Sequence, residues 1–182
     1  MATDVDVTTP EKGPRLRPKQ LLSYSLIFVL VPVLTYLIGG YFDKIFSLPK
    51  FPPIPANLIA GFVVFFSGLA IGVKATRFLY GIGRGLPWGE VNGQAQSKKL
   101  VTSGLYAHCR NPMTLGYSLL PCGMGIMFQS LGMAFIITAV VLLVNIIWLK
   151  AWEEPSLERR FGDNYREYKR GTPFLIPKFR PR

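Results

Sequence analysis

The sequence predicts an all-α integral membrane protein with about four transmembrane helices, and three observations predict it. The chain is 49% hydrophobic with a mean hydropathy of +0.29. Its apolar residues gather into runs long enough to cross the hydrocarbon layer of roughly 30 Å at about 1.5 Å per residue. Its basic residues flank those runs rather than interrupt them. A soluble domain of 182 residues could bury a sizeable core without runs of this length. The excess apolar surface therefore reads as surface for lipid.

Residues 1–20 carry Lys12, Arg15, Arg17, Lys19 and three prolines, and read as a flexible basic tail. Residues 21–74 hold two transmembrane helices. The first is Leu21–Gly40, with Pro32 near its middle to kink it. That run is too long for a signal-peptide core and no small-x-small cleavage site follows, so it is expected to be retained. The second is Asn57–Val73, closed by Lys74 and Arg77, with Gly68 and Gly72 four apart to permit close helix approach. Residues 75–182 form a core of a long polar connection, a transmembrane hairpin over 113–149 and a charged, aromatic tail. Within the hairpin, Met113–Phe128 and Leu131–Leu149 are joined by Gln129-Ser130, which leaves room only for a tight turn. The two spans are expected to be antiparallel neighbours.

Charge orients the chain. The net charge is +11. The tail before the first span holds four Lys/Arg, the second connection six and the C-terminal tail nine, whereas the first loop holds two and the hairpin turn none. Alternating sides puts nineteen on one face, which the positive-inside rule assigns to the cytoplasm together with both termini. Basic residues flanking apolar runs point to anionic membrane lipids as the partner, not nucleic acid. Cys109, Cys122 and the single His108 form no zinc-ligand pattern, and both thiols are expected to be reduced. Gly81, Gly83 and Gly85 imitate a dinucleotide fingerprint, but the third glycine falls too early and a membrane helix, not a strand, precedes them. Nothing in the sequence sets the oligomeric state.

Chemistry has two candidate segments. In KKLVTSGLYAHCRNPMTLGY (98–117), Pro112 suits the first turn of a helix, Asn111 can cap it, and Arg110 stands at headgroup level. A helix cap with a snorkelling arginine accounts for these residues locally. In LKAWEEPSLERRFGDNYREYKRGTPFLIP (149–177), Pro155 is expected to end the last span at Glu154 and begin a new helix. Leu157, Phe161, Tyr165 and Tyr168 recur at helical spacing beside Arg159, Arg160, Arg166, Lys169 and Arg170, the pattern of a basic amphipathic helix lying on a membrane. Glu153 and Glu154 fit that pattern poorly, since they place negative charge at a helix C-terminus against an anionic leaflet. They either serve a site or pair structurally with Arg110, Lys150 or Arg159.

Together, the two segments resemble the isoprenylcysteine carboxyl methyltransferase and phospholipid methyltransferase group of membrane enzymes. The carrying residues are LVTSGLYAHCRNPMTLGY (100–117) and EEPSLERRFGDNYREYKRGTPFLIP (153–177), in the family's order and separated by a hairpin. The resemblance spans about residues 75–178 and looks like a compact, prokaryotic-type member. It implies S-adenosyl-L-methionine as methyl donor and a lipophilic acceptor, carboxylate or amine. It assigns donor contacts to Lys99, Leu100, Val101, Tyr106, Asn111, Pro112, Met113, Thr114, Glu153 and Glu154. Glu153 and Arg110 are the candidate catalytic residues, Glu153 as a base only for an amine acceptor. Two departures from the carboxyl methyltransferases bear on the acceptor. Asn111 stands where those enzymes have histidine, and Leu149-Lys150 stand where an arginine meets the substrate. A membrane reductase of related architecture using NADPH, and a non-catalytic scaffold, are the competing readings.

Overall fold

A computed structural model describes residues 18–85 and 96–179, with side chains from Val29 onward. Most of the N-terminal basic tail, and part of the long connection, lie outside the described residues.

The described chain is helical. Helix α1 spans Pro18–Ile45 and α2 spans Ala56–Gly81. The short α3, Leu105–His108, precedes α4, Pro112–Met127. A π-helical turn over Gly132–Ile137 leads into α5, Thr138–Trp148. A second π turn, Leu149–Glu153, leads into α6, Glu154–Gly171. Two helical runs, Ala56–Gly81 and Gly132–Gly171, are long and apolar enough to cross a membrane. Their outer faces are what hydrocarbon requires: Ile59, Phe62, Val63 and Phe66 on α2, and Val140, Leu143, Val144 and Ile147 on α5, are all exposed.

Helix α1 passes through Pro32 without ending there. Helix α2 runs two turns past its expected end, so Lys74 and Arg77 sit on the helix rather than close it. A continuing apolar-and-small face explains this: Ala75 is fully buried against Val101 and Tyr106.

The glycines choose the partner of α2. Gly61, Gly68 and Gly72 are buried along one stripe, and the stripe faces α4. A Cβ at Gly116 would stand 2.7 Å from the Gly68 carbonyl oxygen and 2.7 Å from the Gly72 nitrogen. Backbones therefore meet directly, and α4 packs most extensively on α2. Helix α4 and the last span are also neighbours, as the tight turn between them requires. Their hairpin is closed at its turn, where a Cβ at Gly125 would meet the Ala134 nitrogen. Toward the other end a cavity comes between them.

The turn itself is held from several sides. Gln129 adopts a left-handed φ of 55° and donates its side-chain amide to the Pro52 carbonyl at 2.7 Å. Ser130 accepts the Met133 N–H on its hydroxyl. Asp43 of α1 accepts the Gly132 N–H at 2.7 Å, a carboxylate at a helix N-terminus.

Pro155 does not end the last span. The chain stays helical from Gly132 to Gly171. A proline ring clashes with the carbonyl four residues earlier, here Ala151, and the wider π turn over Leu149–Glu153 accommodates it. The true break lies at Gly162, with φ 53° and ψ −129°, a region that favours glycine.

Candidate functional site

Three chain segments, together with Leu79 of α2, enclose a cavity of about 110 Å³ at the end of the hairpin away from its turn. The returning connection contributes Gln96, Ser97, Leu100 and Val101, and α3 contributes Tyr106. The entry to α4 contributes Arg110 through Thr114 and, a turn deeper, Tyr117. The last helical run contributes Asn145, Trp148, Leu149, Glu153 and Leu157, followed by Tyr165 and Tyr168.

Each piece is fixed by identifiable contacts. Arg160 donates to the Ser97 carbonyl at 2.7 Å, tying the returning connection to α6. The Gly83 carbonyl accepts from Lys98 and Lys99, so this glycine segment serves the chain's return rather than a phosphate. Tyr106 is buried among Ala75, Val101, Phe78 and Met113. The Tyr168 hydroxyl donates to its carbonyl at 2.6 Å. The kink at Gly162 lets α6 turn its aromatic face into the protein: Tyr165 is only 2% exposed, and Leu157 and Tyr168 line the cavity. This corrects the expectation that the Leu157-Phe161-Tyr165-Tyr168 stripe lies on a membrane.

The glutamate pair divides. Glu154 is buried and does not line the cavity; its Oε1 lies 2.9 Å from Arg110 Nη1 and its Oε2 lies 2.9 Å from Lys169 Nζ. Lys169 also reaches Glu158 at 2.8 Å. Of the three structural partners considered for the pair, Arg110, Lys150 and Arg159, it is Arg110 that meets Glu154, and Lys169 joins it. Glu153, half-buried, faces the cavity. Its charge and, more strongly, burial raise the Tyr106 phenol above its usual range. Burial raises Tyr165 and Tyr168 as well. All three phenols are therefore neutral near pH 7 and act as hydrogen-bond donors and π faces, not as bases. Burial likewise pushes the Cys109 thiol up, so it stays protonated.

The remaining expected residues fall as follows. Leu100, Val101, Tyr106, Asn111, Pro112, Met113 and Thr114 line the cavity, whereas Lys99 is exposed and does not. Asn111 does not cap α4 with its side chain. Its amide donates instead to the Phe174 carbonyl at 3.0 Å, because the chain beyond α6 returns across this segment. That return went unread in the sequence. Arg110 N–H donates to Pro173, Lys178 N–H donates to the His108 carbonyl, and the His108 ring meets the Lys178 carbonyl. The Phe174 ring lies 5.5 Å from the Arg110 guanidinium and 5.3 Å from the Lys150 ammonium. The only sequence signal for it was the TPFLIP segment at the end of the motif.

The donor set suits a ligand that carries both a cation and a carboxylate. Glu153 and the surrounding rings offer a negative and π-rich wall. Arg110 is about nine-tenths buried at the cavity, and its Nε has no hydrogen-bond partner among the described residues. Its Nη1 approaches Glu154 closely, but the N–H direction misses the oxygen, so that contact is mainly Coulombic. A buried guanidinium with an unused donor fits a ligand carboxylate. Pro112, Met113 and Thr114, the first turn of α4, line the same cavity, and a helix N-terminus favours negative charge.

The model of one protein family matches this chain: phospholipid methyltransferase, over residues 56–164. Neither the curated proteins nor the solved structures contain a match. The family match begins earlier than the motifs alone, taking in α2, the helix on which α4 is packed. It covers well over half of the chain and selects methyl transfer over the reductase and scaffold readings. The chain thus belongs to the phospholipid methyltransferase family, and it is a membrane methyltransferase that uses S-adenosylmethionine.

Proposed function

We propose that the acceptor is the amine headgroup of a phospholipid, methylated in the cavity between α4 and the last helical run. The observation that carries this reading is the charge inventory of the lining. Glu153 is the acidic group there, set among Tyr106, Tyr117, Trp148, Tyr165 and Tyr168. Arg110 is the basic side chain of that lining, and in this reading it is taken by the donor's carboxylate. A carboxylate acceptor would need a cation with unspent charge, whereas an amine that becomes a methylated ammonium is suited to a carboxylate and aromatic faces.

S-adenosylmethionine supplies, when bound, a methyl group on a sulfonium sulfur and leaves as a neutral thioether. In this reading Glu153 accepts the proton that the ammonium headgroup must lose before its lone pair can form the new C–N bond. The rings hold the cationic product, and Arg110 Nε with the α4 N-terminus holds the donor's carboxylate. Leu100, Val101 and Met113 close the apolar side and help exclude water. Catalysis rests largely on holding donor and amine in line.

The membrane arrangement belongs to the same proposal. Four spans, α1, α2, α4 and Gly132 through α5, put the cavity on the face with nineteen basic residues, the cytoplasmic one. Both termini share that face, and Arg159, Arg166 and Arg170 of α6, all exposed, meet anionic headgroups there.

The test is methyl transfer by purified protein in lipid nanodiscs. Methyl-labelled donor is offered with an ethanolamine phospholipid and, separately, with an S-prenylated cysteine carrying a free carboxylate. Acid- and base-stable label on the ethanolamine lipid is expected. Base-labile methyl ester on the prenylcysteine, with none on the amine, would sink the proposal.

A further inference from the structure

The amine reading leaves a polar side chain of the cavity lining, Asn145, without a task. Helix α5 reads TAVVLLVNIIW, and Asn145 is the one polar residue between Thr138 and Trp148. An amide in a membrane helix is costly unless it has partners. Asn145 lines the cavity. Its Nδ2 donates to the Val141 carbonyl at 2.8 Å, one turn back in the same helix. That bond uses one of the amide's two N–H groups. The second N–H and the Oδ1 atom have no partner among the described residues.

The position matches a lipid. Asn145 lies eight residues before Glu153, about 12 Å along the helix at about 1.5 Å per residue. From the amine of an ethanolamine phospholipid to its glycerol ester carbonyls is a chain of about nine bonds of about 1.5 Å, or about 11 Å when extended. A lipid whose amine sits at Glu153 therefore lays its ester carbonyls at the level of Asn145. A carbonyl is an acceptor without a donor, and Asn145 has an N–H without an acceptor. The fatty chains beyond it meet the apolar remainder of α5.

We infer that Asn145 is a specificity-determining residue for the acceptor, donating its second amide N–H to a glycerol ester carbonyl of the phospholipid. This rests on the amine reading above. It makes the enzyme a reader of the ester linkage as well as the headgroup.

The experiment compares two ethanolamine lipids of equal chain length, one diester and one dialkyl ether, in the same nanodiscs. The ether lacks the carbonyls and keeps everything else. The wild-type enzyme is expected to prefer the diester by about fivefold to tenfold in kcat/KM, the equivalent of one net hydrogen bond. Asn145→Leu is expected to raise KM for the diester by that factor, leave kcat and donor affinity unchanged, and bring the ester-to-ether ratio to about one. A helix-stabilising role alone would not move that ratio. A wild-type ratio of one overturns the inference without any variant, and so does a variant that keeps the wild-type ratio. If the wild type methylates neither lipid, the amine reading falls and this inference falls with it. If it methylates both equally, the amine reading stands and only the role of Asn145 is lost.

Discussion

The two ends of the α4–α5 hairpin are built on opposite principles. At the turn, small residues bring backbones together: Gly125 meets Ala134, Gly39 meets Met133, and Gly132 faces Asp43. The polar groups there are bonded to backbone, as in Asp43 to Gly132 and Asn57 to the Met127 carbonyl. At the far end, large side chains hold the helices apart. Tyr117, Trp148 and Tyr106 line the space, and Arg110 retains an unused buried donor. The closed end is packed backbone to backbone, with Asn57 Oδ1 its buried atom lacking a hydrogen bond, whereas the open end leaves Arg110 Nε and Nη1 and Glu154 Oε1 without one among the described residues. The contrast shows how one short hairpin can close tightly at its turn and still leave a lined cavity at its other end.

Mutations at the two ends test this contrast, because only those at the open end should change donor binding or methyl transfer. The largest effect is expected from Arg110→Ala, which leaves Glu154 buried beside Lys169 alone. Loss of one partner from a buried pair costs about 3–5 kcal/mol, toward the lower figure here because Lys169 still faces Glu154. Both the thermal midpoint in detergent and donor affinity by calorimetry should fall. An unchanged midpoint would show that the open end does not depend on this pair.

Glu153→Gln is expected to lower methyl transfer to an amine lipid by about 100-fold, with little change in thermal midpoint. A rate within threefold of wild type would remove Glu153 from the chemistry. Gly125→Val tests the other end, since a Cβ there would stand 2.3 Å from the Ala134 nitrogen. It should destabilise by about 1–3 kcal/mol while leaving the donor affinity of the folded fraction intact. Weakened donor binding with an unchanged midpoint would contradict the division between the two ends.

Acid should have the smallest effect. The hydrogen bond and charge of Lys169 hold Glu158 below its ordinary value of 4.5. A depressed carboxylate contributes stability that is present above its unfolded value and lost as pH falls through its folded one. The same contact with Glu158, then that with Glu154, raises Lys169, whose contribution is lost only as pH rises past its ordinary 10.5. The thermal midpoint should be flat between these limits and decline slightly below pH 4.5. Glu158→Gln should abolish most of the decline.

Much of the arrangement was legible in the sequence because it depends on local chemistry. Gln129-Ser130 could only be a tight turn, Pro112 could only begin a helix, and Gly68 with Gly72 marked a face for close approach. The motif order placed Tyr106, Asn111 and Glu153 at one site, and the cavity gathers them. Other features left no local trace. The return of residues 172–178 over His108–Asn111 is held by two backbone hydrogen bonds and by the Asn111 amide and His108 ring, which both meet carbonyls of the returning chain that any residue could supply. Asp43, near the end of α1, has no local signal for its bond to the Gly132 N–H, 89 residues away. The glycine stripe of α2 announces a close neighbour without saying that α4 is the one.

The division between Glu153 and Glu154 draws the boundary most sharply. The sequence by itself determined that two carboxylates stand at the exit of an apolar helix, where charge needs a reason. It also determined, through hydropathy and basic flanks, which segments can meet lipid. Only the tertiary structure decided which carboxylate faces the cavity. Neighbouring residues on a helix point about 100° apart, and the π turn over Leu149–Glu153 shifts that phase just before the pair. The shift answers to Pro155 and to the packing of α6 after Gly162, so the roles of adjacent residues depend on contacts made far along the chain.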